Sequence, residues 1–391
     1  MTLQELMTRW NEYQIEMRRW FHQHPEESTK EVRTAERIRA ELDRAGIPWR
    51  PCGLGTGTLA RIEGAQPGRT ILLRGDIDAL SVNEETGLPY ASEVPGVMHA
   101  CGHDCHISML LTAAMIVNEI RDRLKGTIVF AFQPAEELGL GARAMIEEGA
   151  LEGVDACFGM HVWSDYPAGT VALRKGPMMA SGDQFKIHVR GKSTHGAQPQ
   201  LGADALIMGA AIAQNLQTIV SRETYPGDTA VVTVGKFHSG TRFNVVAGTA
   251  ELEGTTRTFS PAVRDRFEEQ ITRIARSTAE AMRGTADVEY LRIVPVTVND
   301  PGMIDVVTGA AGKIFGDKGV IEADLQMGGE DFAFYQEKVP GAMVLLGVRN
   351  EACDAVWPQH HGCYKVDESV LVKGAALHVQ TALDFLGVDL Q

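Results

Sequence analysis

Apolar residues recur along the chain with two different periods. Short runs such as "RTILLRGD" (69–76), "TIVFAFQP" (127–134) and "VDACFGMHV" (154–162) are nearly continuous, as strands buried on both faces require. Between them, "CHISMLLTAAMIVNEI" and "GARAMIEEG" carry helical spacing, which predicts a βαβαβ layout and a mainly parallel sheet with helices on both faces. The middle of the chain changes character. There "DQFKIHVRG", "ADALIMGAAIAQNLQTIV", "AVVTVGKF", "TAELEGTTRTF", "SPAVRDRFEEQITRIARSTAEAM" and "ADVEYLRIV" read strand, helix, strand, strand, helix, strand, a ferredoxin-like βαββαβ order. The first pattern then resumes with "MIDVVTGAAGKIFG", "AMVLLGV" and "ESVLVKGAALHVQTALDFLG". The expectation is an α/β fold whose larger, discontinuous domain covers 1–180 and 295–391. A smaller domain over 181–294 is inserted in it.

Composition narrows the function classes. The 391 residues are 44% hydrophobic, enough for two cores, and a formal charge of -14 repels phosphate backbones and anionic lipid, so no nucleic acid is expected as a partner. The first 25 residues mix charges with apolar positions, and the longest nearly apolar stretch, Ile107–Val117, is too short to span a bilayer. A membrane-free, cytoplasmic protein is expected. Six cysteines are too sparse for a disulfide scaffold and read as thiols or ligands.

Candidate chemistry gathers where strands end, the place where open α/β sheets bind ligands. "GDIDAL" sets Asp76 and Asp78 past one strand, on the same side if extended geometry continues. "QPAEE" sets Glu136 and Glu137 past the next, His161 ends a third, and "HACGHDCH" (99–106) opens a helix. Each has a plainer reading. The His/Cys box alone could be a structural zinc site or a capping turn, the glutamates a helix N-terminus, and His161 a core histidine. However, no second cysteine pair follows at zinc-finger spacing, and sulfur, nitrogen and oxygen donors together suit zinc or a similar divalent ion. Two adjacent carboxylates divide naturally into a ligand, Glu137, and a general base, Glu136, as a water-splitting hydrolase needs.

The stretches "LLRGDIDALSVNEETGLPYASEVPGVMHACGHDCH", "QPAEELGLGARAMIEEGAL", "FGMHVW", "GKSTHGAQP", "NVVAGTAELEGTTRTF", "GGEDFAFY" and a late "HH" occur in one order between residues 72 and 361, within a resemblance that runs from about residue 10 to 385. In this the sequence resembles the M20 metallopeptidase family. Within it, the chain looks like the amidohydrolase branch of hippurate hydrolases, N-acyl-amino-acid deacetylases and auxin-conjugate hydrolases. The resemblance implies two divalent metal ions, zinc or manganese before cobalt or nickel, bridged by Cys101 and held by His103, Glu137, His161 and His360. It further implies Glu136 as base, His195 on the inserted domain as a group stabilising the oxyanion, Asn244 and Arg257 as contacts for the substrate carboxylate, and Asp78 as a residue orienting a ligand. A homodimer or higher homo-oligomer, with dimerisation through the inserted lid domain, is implied as well. Three departures stand out: Cys105 replaces a glycine, "HHGCY" replaces His-His-Pro-Arg-Tyr, and "FNVVAG" replaces Asn-Val-Ile-Pro. His99, His106 and Cys105 are left to structural or supporting roles.

The expected activity is metal-dependent hydrolysis of the amide in N-acyl-L-amino acids. An exopeptidase or dipeptidase of the same family, and a binder of acylated amino acids with a decayed site, are the alternatives. A serine hydrolase lacks its Gly-x-Ser-x-Gly elbow here.

Overall fold

The computed structural model describes residues 2–390, in two compact units. The first comprises Met1–Gly176, Val298–Asp324 and Asp331–Gln391. Its centre is made by the continuous apolar runs. Lys125–Gln133, Gln66–Asp76, Ala156–Pro167 and Gly341–Arg349 lie side by side in that order, all parallel, within an eight-stranded sheet. Thr58–Glu63 and Trp49–Pro51 extend one side antiparallel. On the other side Val171–Leu173 runs antiparallel to Gly341–Arg349, with Val320–Glu322 beyond it.

Both faces of the central strands are covered, which is why their sequences do not alternate. Ile71, Leu73, Phe130, Phe158, Met160, Val344 and Leu346 belong to one core with residues of the helices Leu3–Gln23, His103–Glu119 and Leu371–Leu386, which pack on one another. The intervening Leu72, Val129, Cys157 and Met343 are equally buried. Phe332 lies close on that side, since a Cβ built on Gly159 would come within 3.0 Å of its ring.

Register decides what stands beside what. Asp76 pairs with Gln133, and Arg74 pairs with Gly159, so His161 comes level with both Asp76 and Gln133. The strand that carries His161 does not end there, as the sequence pattern suggested, but continues to Pro167 alongside Gly341–Arg349. Its pairing with Gln66–Asp76 stops at Gly159, short of the carboxyl ends of the strands, where open α/β sheets bind ligands.

A buried ionic network braces this level. Arg74, 1% exposed, donates to Asp76 Oδ2 (2.7 Å), Asp331 Oδ1 (2.8 Å) and Gln133 Oε1 (2.9 Å). Asp331 also accepts from Gln133 Nε2 and from the Ala142 amide, so each buried charge has its partners.

The second unit comprises Pro177–Thr297 and Leu325–Glu330. Its antiparallel sheet runs Ala230–Ser239, Thr249–Thr258, Ser181–Arg190, Thr285–Val294, the order that a ferredoxin-like βαββαβ chain produces. Helices Ala205–Thr218 and Pro261–Ala281, capped by Asp204 and Ser260, cover one face around Phe185, Ile187, Met208, Ile212, Leu252, Phe267 and Ile271. The segment 325–330 is bound by backbone hydrogen bonds from Gln326 to Met178 and from Ala180 to Gln326, a pairing its own sequence does not signal. Among the described residues, no helix is long and apolar enough to cross a membrane.

Candidate metal centre

Cys101 and His103 owe their proximity to Gly102, which takes a left-handed turn (φ 87°, ψ 18°) where the loop becomes helix His103–Glu119. A side chain would not fit there, because a Cβ on Gly102 would sit 2.5 Å from Val162 Cγ2 and 2.9 Å from Tyr364 Oη. Glu136 and Glu137 follow strand Lys125–Gln133 after Ala135, itself left-handed at φ 50°. His360 is also left-handed (φ 65°), and its amide donates to the Ala100 carbonyl (2.8 Å), which fastens the late "HH" segment beside the His/Cys box.

The ligand atoms of Cys101, His103 and Glu137 all lie within 4.8 Å of one another. Cys101 Sγ is 3.4 Å from His161 Nε2, and Glu137 Oε1 is 3.4 Å from His360 Nε2. The five residues singled out as ligands therefore form one connected group. His361 instead stacks on Trp357 at 4.6 Å and accepts from the Cys363 amide.

The ring nitrogens are fixed by their other partners. Asp78 Oδ1 takes His103 Nδ1 at 3.1 Å, leaving Nε2 toward Glu137, and Asp78 Oδ2 accepts from the Glu137 amide (3.1 Å). His161 Nδ1 donates to the Val162 carbonyl (2.7 Å), so its Nε2 faces Cys101 as a free lone pair. His106 was assigned only a supporting role from sequence, yet it joins Asp76, His103 and His161 in a second group of donors within 4.8 Å. Its Nε2 accepts from the Val162 amide (2.9 Å), so Nδ1 carries the proton it donates to Asp76, and no lone pair is left for an ion. The signal for its position was present, since His106 lies three residues after His103 and thus one helical turn away. Cys105 is fully buried and belongs to neither group.

Electrostatics make the group a cation site. Burial drives the Cys101 thiol well above its ordinary pKa, and Glu137, Glu136 and Asp76 push the same way. Burial opposes charge on His103, but Asp76, Asp78 and Glu137 outweigh it and hold the imidazole up at about 10. The Glu137 carboxylate raises His360, while burial and His106 drive His161 down. His103 Nε2 and Glu137 Oε1 are buried without a hydrogen-bond partner. Facing donors with no partner, under a field that favours positive charge, fit divalent ions, for which thiolate, imidazole and carboxylate are the usual ligands.

The remaining candidates lie in the second unit. His195 is exposed on the short strand Thr194–His195, paired with Val245, and its Nδ1 accepts from the Ala197 amide (3.0 Å). Asn244 accepts the Gly196 amide at its carbonyl (2.8 Å), and its Oδ1 is buried without a partner. Arg257 pairs with Gly182 near the opposite end of strand Thr249–Thr258, roughly 25 Å along at about 3.3 Å per residue, so the unit groups His195 with Asn244 and not with Arg257.

Known proteins resemble this chain in sequence and fold. Peptidase family M20/M25/M40 matches residues 72–384. The chain is 41% identical over 368 residues to N-acetyl-L-cysteine deacetylase of Bacillus subtilis (strain 168), covering 94% of this chain and 87% of that protein. It is 39% identical over 375 residues to thermostable carboxypeptidase 1 of Saccharolobus solfataricus, covering 95% of each. The crystal structure of Bacillus subtilis YXEP protein, a dinuclear metal binding peptidase from the M20 family, superposes with a TM-score of 0.86 at 36% identity over 98% of this chain and 100% of that one. With the family match spanning most of the sequence and the donors converging at the strand ends, the chain belongs to peptidase family M20/M25/M40.

Proposed function

We propose that the protein is a metal-dependent amidohydrolase that cleaves the amide bond of N-acyl-L-amino acids. The observation that carries this reading is the connected group of Cys101, His103, Glu137, His161 and His360, with Glu136 adjacent to it in the chain. These five residues would hold two divalent ions, which would supply Lewis acidity toward water and the scissile carbonyl. A thiolate among the donors favours zinc, with manganese, cobalt and nickel as alternatives. Glu136 takes the proton of the attacking water and returns it to the leaving amine, while Asp78 keeps His103 in the tautomer that leaves Nε2 free. His195 donates to the developing oxyanion, and Asn244 and Arg257 hold the substrate carboxylate. Their separation within the second unit supports a homodimer, with the insert serving as lid and dimerisation domain. All six cysteines are free, which supports a cytoplasmic setting.

The 39% identity to a carboxypeptidase favours a second reading, an exopeptidase acting on free peptides. Hippurate, N-acetyl and indole-acetyl amino acids and dipeptides, assayed after metal reconstitution, separate the two by whether a free α-amine is required. Glu136→Gln is expected to lower turnover by about 10²- to 10⁴-fold with metal content unchanged. Unchanged turnover removes Glu136 as the base.

A further inference from the structure

The segment "EESTKE" (26–31) joins the first two helices and carries none of the family boxes, yet it is anchored on the catalytic strand ends. The Glu26 carbonyl accepts from the Ala79 amide (2.8 Å). Ser28 Oγ donates to Asp78 Oδ2 (2.6 Å), the same oxygen that receives the Glu137 amide. Glu31 is completely buried. Although it occupies the cap position of helix Val32–Arg44, its side chain does not cap that helix. The Glu26 carboxylate reaches the Arg33 and Thr34 amides there instead.

The Glu31 carboxylate points to the metal centre's loop. Its Oε1 accepts from the amides of Thr29 (2.9 Å) and Ala135 (2.9 Å), and its Oε2 from the Thr56 hydroxyl (2.9 Å). Thr29 and Ala135 are two of the six left-handed non-glycine residues among the described residues. Left-handed backbone is unfavourable for alanine, so this conformation persists only where surrounding contacts hold it. Ala135 is fully buried, and its carbonyl is taken by the Leu140 and Gly141 amides. Without Glu31 its own amide would be left unpaired in the interior. The peptide would then rotate toward a right-handed conformation, carrying the next two residues with it.

We propose that Glu31 is a positioning residue for the Glu136–Glu137 pair, fixing the left-handed turn at Ala135 that sets the direction of base and ligand. The assignment rests on the hydrolase reading above for what the two glutamates do, and on the hydrogen bonds alone for how they are held. Burial pushes the Glu31 carboxyl above its ordinary value, against the Thr29 and Ala135 amides that lower it.

The test compares Glu31→Met, Glu31→Asp, Glu31→Gln and Thr56→Val in the full chain. Each is read by kcat and KM on the best substrate of the panel, by thermal midpoint, and by the absorption spectrum of the cobalt-loaded protein. Met removes every acceptor, and Asp is one methylene too short to reach Ala135. Gln keeps an oxygen for the two amides and turns its NH₂ to the Thr56 hydroxyl, while Val removes only the contact to Oε2. Met and Asp are expected to lower kcat about tenfold to a hundredfold with KM within about twofold, and to shift the cobalt spectrum. Gln and Val are expected to stay within about threefold of the parent in kcat and to keep its spectrum. If Met fails to fold, Asp gives the same reading. Parent-like kcat and spectrum in both Met and Asp overturn the proposal, as does a kcat loss in all four variants that only follows the thermal midpoint. Should the parent turn over nothing in the panel, the hydrolase reading fails by itself, and the cobalt spectra still decide whether Glu31 sets the geometry.

Discussion

Gly102 offers a test of how the metal centre is built. Replacing it by alanine imposes two costs that can be separated. The left-handed backbone at φ 87° costs an L-residue about 1–2 kcal/mol. The new methyl would meet Val162 Cγ2 at 2.5 Å and Tyr364 Oη at 2.9 Å. Neither neighbour yields easily, since Val162 is a stiff β-branched side chain inside the sheet and Tyr364 is 1% exposed. Overpacking of this kind adds about 1–3 kcal/mol, giving about 2–5 kcal/mol in all. Gly46 is the control. It is also left-handed (φ 66°) but has nothing within 4 Å of a built Cβ, so Gly46→Ala should lose only the backbone part, about 1–2 kcal/mol. Urea unfolding of the metal-free proteins measures both variants. Because Cys101 and His103 flank Gly102, zinc titration of Gly102→Ala should also show affinity lowered by at least about tenfold, with Gly46→Ala at the parental value. Equal stability losses in the two variants, or parental zinc affinity in Gly102→Ala, would refute the argument that this turn and its tight surroundings hold the two ligands together.

Two further outcomes follow from the geometry. His360→Ala should weaken divalent-ion binding by more than about a hundredfold, while His361→Ala, which loses its stack on Trp357 and the hydrogen bond from the Cys363 amide, should stay within about threefold; the reverse result in equilibrium dialysis would exchange the two roles. Burial drives His378 from 6.5 down to about 3, with His106 acting in the same direction. Above pH 6.5 neither folded nor unfolded chain protonates this ring. Below it the unfolded chain takes up a proton that the folded one refuses, so stability falls between about pH 6.5 and 3, by up to roughly 4–5 kcal/mol. His378→Met should therefore lose less stability than the parent on acidification, read as thermal midpoint against pH on metal-free protein. Parallel profiles would contradict it.

The two main sheets of this protein are written in local order. Continuous apolar runs alternating with helices mark a parallel sheet covered on both faces, and the strand-helix order of the middle segment marks the ferredoxin-like sheet, because both signals depend only on near neighbours. The candidate donors were equally local. Cys101 and His103 share one turn, and the adjacency of Glu136 and Glu137 already suggested a division between base and ligand.

What joins those pieces is long-range. Register, not composition, brings His161 level with Asp76, and it does so in the middle of a strand that the sequence pattern ends too early. That His360 and not His361 faces Glu137 goes with a left-handed backbone tied to Ala100, and Arg74 finds its counterion Asp331 in a segment 257 residues away. Glu31 carried no signal at all, since a lone glutamate at a helix start reads as a cap until the fold shows that its oxygens serve Ala135. The sequence thus determined which atoms were available and which elements would carry them. Only the packed sheet decided which of them meet, because a side chain's partner across strands is set by register and by the burial of charges that must be paired, and neither quantity is visible within one turn or one strand.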